Sequence, residues 1–339
     1  MQTYQKQFHQ QWQHLQDPHV RALVWMLTSP NLLASDTAEY ATPDSTDPTG
    51  SISASRWHGQ IAHIALPDPQ QLLSWINQLD QYPQVLHDAL AVHKHRRLGH
   101  YAENLLAFFL NHQSLSGLQN LLFAQNLQVQ GAKQVTLGEF DFLLNDARGF
   151  VHWELATKMY LFVGDLDQTR SKFALDDYIG PNQLDTFAKK ADKLFNQQLL
   201  LSHHAAAQAL LQRAVISTQA LIKGWLFYRQ PMIASANAPP EIAPEHCCGY
   251  WWTLQDMAAM AIEHGVVLER MSWLAPAQTK PEQVLNQAML LDEIQRRFQL
   301  QNMPVMLAIM RENGDLMQET HRGMVVPEQW LDLAQDRYQ

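Results

Sequence analysis

Cysteine is almost missing from this sequence: there are two in 339 residues, adjacent at Cys247 and Cys248. Without spaced thiols there is no disulfide framework, and a reducing cytoplasm is the expected compartment. Adjacent cysteines cannot chelate in the usual spaced loop, so His246-Cys247-Cys248 reads as a structural pair of thiols at a loop edge. No uninterrupted apolar run reaches the roughly 18 residues that a spanning helix needs. The opening Met-Gln-Thr-Tyr-Gln-Lys-Gln-Phe-His lacks the apolar core of a signal peptide, and no membrane association is expected. The chain has no G-x-x-x-x-G-K-[ST] and no G-x-S-x-G, which removes the easiest nucleotide-hydrolase and serine-hydrolase readings. Positive charge is also scarce. The net charge of −9 argues against a protein that coats nucleic acid non-specifically. Two local basic strips remain, His93-Lys94-His95-Arg96-Arg97 and Lys189-Lys190 with Lys193, and an enzyme could meet a phosphate backbone through either.

What is present describes an ordinary globular chain. With 46% hydrophobic and 17% charged residues, it can bury a full core in one large domain or two modest ones. The pattern divides into an N-terminal helical extension (1–88), a core (89–230) and a C-terminal α+β extension packed on that core (231–339). Residues 35–55 are rich in Ser, Thr, Asp, Pro and Gly and read as a mobile loop. Helical spacing predicts helices within 1–33, over 69–79 and over 89–112, the last burying Leu98, Tyr101, Ala102, Leu105, Phe108 and Phe109. Strands are expected at 61–66, 127–130, 135–144, 150–163 and 220–228. A helix capped by Asn182 runs to about 202, with Gln198 in line with its apolar stripe, either as a satisfied core amide or reaching toward a site. The tail reads as strands at 249–254, 266–273 and 305–311, a hairpin partner after Gly314, a helix over 281–300 and a last helix from Pro327.

The informative stretch is 139–160. Two apolar strand-like runs flank the turn-forming Asn145-Asp146-Ala147-Arg148-Gly149, and each carries an acid, Asp141 in the first and Glu154 in the second. Strand alternation puts Glu139, Asp141 and Leu143 on one face and Phe140, Phe142 and Leu144 on the other. In the second run His152, Glu154, Ala156, Lys158 and Tyr160 point one way. Acids in the middle of apolar strands cost stability and need a reason. Two carboxylates facing one another repel unless a cation sits between them, and oxygen-only ligands favour magnesium or manganese. A lysine nearby can stabilise developing negative charge or orient a water. Glu103 lies on the flank of the 89–112 helix with Arg96 and Gly99 or His100, and Gly99 leaves space one turn before it. Such groups suit phosphodiester hydrolysis.

The segments Arg97-Leu98-Gly99-His100-Tyr101-Ala102-Glu103, Gly138-Glu139-Phe140-Asp141-Phe142-Leu143 and His152-Trp153-Glu154-Leu155-Ala156-Thr157-Lys158 resemble an uncharacterised family. It is one of the domain-of-unknown-function groups placed near the PD-(D/E)XK nuclease superfamily. Gly180-Pro181-Asn182 and the following helix, with Lys190, Lys193 and Gln198, fit the same pattern, so the resemblance covers about residues 90–230. It implies an α/β (α+β) chain with a restriction-endonuclease-like α-β-β-β-α-β core and a mixed central sheet. Asp141 and Glu154 would bind magnesium or manganese, with the Leu155 carbonyl as a third ligand. Glu103 would hold a water beside the ion, and Lys158 would assist the attack. Arg96, Arg97, Lys190, Lys193 and Gln198 are candidate substrate contacts on DNA or RNA.

The sequence departs from the superfamily pattern at one place. The lysine is expected two residues after the second acid, where Ala156 stands, and Lys158 is four residues on. In a regular strand that leaves it on the acid's face but about 6 to 7 Å further along. Three functions follow: a metal-dependent nuclease, a catalytically silent relative that binds nucleic acid or scaffolds, or a metal-dependent hydrolase of another phosphate.

Overall fold

The computed structural model describes residues 4–35, 57–91, 97–112, 122–132, 135–164, 173–229 and 238–336. The loop expected at 35–55 (all but Ser35), Arg96 and residues 165–172 fall outside them. The chain opens with α1 (Tyr4–Trp12) and α2 (Pro18–Thr28). Asp17 caps α2 by accepting from the His19 and Val20 amides, and Pro18 occupies its first turn, where the missing N–H costs nothing. After β1 (Gln60–Ile61), α3 (Pro69–Gln81) repeats that Asp-Pro start with Asp68. The single helix expected over 89–112 is replaced by α4 (Gln84–Ala91) and α5 (Leu98–Leu110), with 92–96 outside the described residues.

Next come β2 (Leu122–Gln130), β3 (Thr136–Asp146), β4 (Gly149–Phe162) and β5 (Tyr178–Ile179). The helix expected to start at Asn182 starts later, as α6 (Phe187–Lys193). Gln183 takes a left-handed backbone (φ 58) in a turn, and Thr186 is the cap, accepting from the Lys189 amide at 3.2 Å. A π-helical turn (Leu194–Gln198) and a 3₁₀ turn (Leu199–His203) continue it before α7 (Ala205–Leu211). Then follow β6 (Val215–Tyr228), β7 (Cys248–Thr253), α8 (Leu254–Ala259), β8 (Gly265–Val267) and β9 (Gln278–Thr279). The strand expected over 266–273 is cut short because Arg270–Ser272 turn as 3₁₀ helix. The chain closes with α9 (Gln287–Leu300), β10 (Val305–Asn313), β11 (Leu316–Val326) and α10 (Glu328–Gln335).

The described strands form one mixed sheet of eleven, ordered β2-β3-β4-β6-β7-β11-β10-β8. β1 pairs with β6, β5 with β4 and β9 with β11 off that path. The chain is therefore α/β with helices on both faces of a mixed sheet. β4 and β6 run parallel at its centre, and their alternate residues feed separate cores. Trp153, Leu155, Leu221 and Trp225 join α2, α3 and α5 in the larger core. Ala156, Tyr160, Ala220 and Ile222 join Phe187, Ala191 and Phe195 of the α6 segment on the other face. Gly224 (φ 152) lies opposite Lys158, and a Cβ there would fall on the Lys158 carbonyl oxygen.

The tail is stitched to the N-terminal helices by a buried ion pair. Arg322 and Glu319 are both fully buried 2.7 Å apart, and Arg322 also donates to the carbonyls of Trp273 (2.5 Å) and Ala275 (2.6 Å). Its guanidinium lies 4.1 Å from the Trp225 ring. Arg21 of α2 reaches the same segment by donating to the Pro276 carbonyl at 2.8 Å. No helix among the described residues is long and apolar enough to cross a membrane.

Candidate active site

The β3–β4 hairpin sets the site. Its turn is Ala147-Arg148, held by Asp146, whose carboxylate accepts from the Arg148 amide at 2.9 Å. From there the antiparallel register runs Asp146↔Gly149 through Phe142↔Trp153 and stops. One more step would put Asp141 opposite Glu154. Instead the strands part, and the acids' side chains take the place of the ladder. The Leu155 amide donates to Asp141 Oδ2 at 2.9 Å, and the Asp141 amide donates to Glu154 Oε1 at 3.4 Å. The other edge of β3 opens at the same residue. β2 pairs Gln125↔Phe142 and Leu127↔Phe140 but skips Asn126, whose φ of 53 is a left-handed conformation that Asn tolerates.

This opening also breaks the expected alternation. Phe142 and Leu144 pack in the larger core as expected, whereas Phe140 joins Leu143 and Phe150 in a separate cluster. Its ring stands edge-on to His152, with centroids 4.6 Å apart.

Glu154 is fully buried, with three donors around it. His152 Nε2 lies 2.7 Å from Oε1, and Gln198 Nε2 donates to Oε2 at 2.5 Å. The Asp141 amide is the third donor. Gln198 accepts in turn from Lys190 Nζ at 3.0 Å. Gln198 is therefore a satisfied amide, and one of its partners is Glu154. Gln198 closes the π-helical turn, whose wider pitch departs from the 3.6-residue stripe.

Burial and then the Glu154 charge push the Asp141 carboxyl well above the carboxylate range. Burial raises Glu154 as well, opposed by the Asp141 amide, by Lys190 and by a side-chain hydrogen bond with Asp141. The two carboxyls are thus close enough to share a proton. Burial raises Glu103 too, against its partner His100 3.1 Å away. Glu103 feels the Glu139 charge, and Asp141 and Glu154 feel Glu103. Burial lowers His152 to about 4, so its imidazole is neutral.

The sequence-derived candidates separate into groups. Glu103, Asp141, Glu154, Lys190 and Gln198 come together. Lys158 does not join the acids as expected, because its ammonium is held 2.6 Å from Asp185 in the loop before α6. Arg97 and Lys193 are exposed, at the start of α5 and the end of α6. Arg96 lies outside the described residues. Gly99 leaves room beside Glu103, since a Cβ there would only touch its Oε1 at 3.9 Å. Sequence reading missed His152, Glu139 and Asp185. Strand parity had already placed His152 on the face of Glu154 and Glu139 on that of Asp141, without giving either a role.

As a donor set, the Asp141–Glu154 pair offers hard oxygens whose mutual repulsion is offset by Lys190 alone among the cations named around it. Those features fit a hard divalent cation, which commonly takes one or two protein carboxylates and completes its shell with water or substrate oxygens. Among the described residues no three His, Cys, Asp or Glu side chains converge into a fuller cage.

The model of one family, DUF1853, a domain of unknown function, matches residues 21–326. The chain belongs to the DUF1853 family. The match spans every residue of the acid site, the central sheet and β11 of this DUF1853 protein. No curated protein and no solved structure gives a significant match.

Proposed function

We propose that this DUF1853 protein is a metal-dependent nuclease of the PD-(D/E)XK kind, cleaving phosphodiester bonds in DNA or RNA. The observation that carries the reading is the opening of β3 from β4 at Asp141 and Glu154. There two carboxylates replace a ladder step and crowd together in a buried place. With the two-residue β5 and the short α7 set aside, the order α5-β2-β3-β4-α6-β6 supports the restriction-endonuclease-like α-β-β-β-α-β core that goes with it.

Asp141 and Glu154 would hold magnesium or manganese, with the Leu155 carbonyl as a further oxygen. Bound there, the ion would neutralise the pair and act as a Lewis acid toward a phosphate oxygen. The chain's own groups do the rest. His152 and Gln198 fix the Glu154 carboxylate from two sides, so its orientation is set before substrate arrives. Glu103, raised by burial and close enough for its charge to act on both acids, can accept a hydrogen bond from the attacking water. Arg97 and Lys193, exposed at two helix ends, can meet the phosphate backbone of an acidic substrate despite the chain's net charge of −9.

The test is incubation of the full-length protein with magnesium or manganese and single- and double-stranded DNA and RNA. Cleavage that disappears with a chelator and in both Asp141→Asn and Glu154→Gln supports the reading. Inertness toward every substrate, with no manganese uptake by calorimetry, overturns it. A second reading, a silent relative that binds nucleic acid without cutting, is favoured by the engagement of Lys158 with Asp185. It would show as binding and manganese uptake without cleavage.

A further inference from the structure

We propose that Lys190 of α6, and not Lys158 of β4, is the lysine of the acid pair, and that its ammonium contacts the phosphate undergoing cleavage. This rests on the nuclease reading above. Lys158 is committed elsewhere, its Nζ 2.6 Å from Asp185 Oδ2, with both side chains about one-third exposed. Lys190 instead enters from the facing helix. It is linked to Glu154 through one side chain, Lys190 Nζ to Gln198 Oε1 at 3.0 Å and Gln198 Nε2 to Glu154 Oε2 at 2.5 Å.

The same placement is felt in the charges. Lys190 stabilises the ionised forms of Glu103, Asp141 and Glu154, whereas Lys158 is not among the principal groups acting on any of the three. An ammonium keeps three donors on a flexible stem, so one bond to Gln198 leaves two for a ligand.

The geometry has a simple cause. A residue four places after Glu154 stays on its strand face but about 13 Å along, too far for direct contact without bending back. α6 packs across that face through Phe187, Ala188 and Ala191. Lys190 lies one helical turn after Thr186, the α6 cap, and so reaches the opening that the strand lysine does not.

In hydrolysis the water oxygen forms the new bond to phosphorus while the bond to the leaving sugar oxygen breaks. The electron pair of the broken bond stays on that oxygen, which takes up a proton from solvent, and the attacking water loses one to solvent. The products are a phosphomonoester and a hydroxyl. Lys190 remains protonated throughout and donates to a non-bridging oxygen as negative charge builds there.

The experiment compares wild type, Lys158→Met, Lys190→Met and Lys190→Arg by single-turnover cleavage and by manganese titration without substrate. Lys190→Met is expected to lose 100-fold or more in rate, with part recovered in Lys190→Arg, while Lys158→Met stays within threefold. Removing a positive charge beside the acids should tighten manganese binding at least threefold in Lys190→Met and leave it unchanged in Lys158→Met. A Lys190→Met enzyme that cuts normally, or a loss confined to Lys158→Met, overturns the assignment while leaving the nuclease reading intact. If wild type cuts nothing, the titration decides alone: tighter manganese binding in Lys190→Met supports the placement of Lys190, and unchanged binding overturns it. Absence of manganese binding in wild type overturns both readings together.

Discussion

His152 and Glu154, two residues apart on one face of β4, are fully buried and joined by a 2.7 Å hydrogen bond. An ionised carboxylate only accepts, so Nε2 carries the proton when Glu154 is charged. Nδ1 is then an acceptor without a partner among the described residues. The neutral ring acts as a fixed donor. Replacing it by Phe keeps the edge-on contact with Phe140 but removes that donor. His152→Phe is expected to weaken manganese binding roughly 10-fold, the usual effect of losing a group that orients a ligand. Calorimetry giving wild-type affinity would refute this role.

The acid pair makes stability depend on pH. Both carboxyls have raised pKa values in the folded protein, Asp141 up to about 8. Above the ordinary carboxylate range the folded form therefore keeps protons that the unfolded chain has released. Stability falls as pH rises through that window and levels off above about 8. Without divalent cations, the melting temperature should drop between pH 6 and 8.5 in wild type and by less in Asp141→Asn. Magnesium should restore it at the upper end. Parallel curves for the two proteins would refute the coupling.

Gly224 lies opposite Lys158 in the pairing of β4 with β6. Its φ of 152 and the carbonyl of Lys158 leave no place for a side chain. Gly224→Ala should cost about 3 kcal/mol or more, or yield no soluble protein, because both central strands must move apart. Urea unfolding near the wild-type midpoint would contradict the contact.

Glu319 and Arg322 form a buried pair that also serves four backbone groups, the Ala277 amide and the carbonyls of Trp273, Leu274 and Ala275. Removing one partner strands the other in the core. Glu319→Ala should cost about 3–5 kcal/mol. By contrast Asp185→Ala, which frees the partly exposed Lys158, should cost no more than about 1 kcal/mol. Equal losses in the two variants would refute this distinction.

The sequence reading reached the hairpin because its evidence is local. Alternation and the Asn145-to-Gly149 turn fixed the parity that brings Asp141 to Glu154, and Gln198 stood out as an amide in an apolar stripe. Two things were invisible to it. The opening at Asp141 coincides with a skipped pair at Asn126 on a neighbouring strand, and alternation carries no trace of a missing ladder step, so Phe140 was assigned to the wrong face. The partner of Lys158 was hidden for a similar reason. Asp185 lies 27 residues away in a turn whose left-handed Gln183 has no strong signature, so the helix cap is expected at Asn182, four residues before Thr186. What the sheet does across strands is a property of neighbours, and periodicity along one strand does not encode it.

The sheet runs without a break from the acid-bearing hairpin into the tail, and the seam is short. β6 and β7 are paired at only three positions, from Leu226↔Cys248 to Tyr228↔Tyr250. Severing the chain in the connection after β6 would leave a raw strand border on one piece and a bare Trp251 on the other. Neither half is a cassette that can be lifted into another protein, and a shortened version built for crystallography or directed evolution has to keep both sides of that seam.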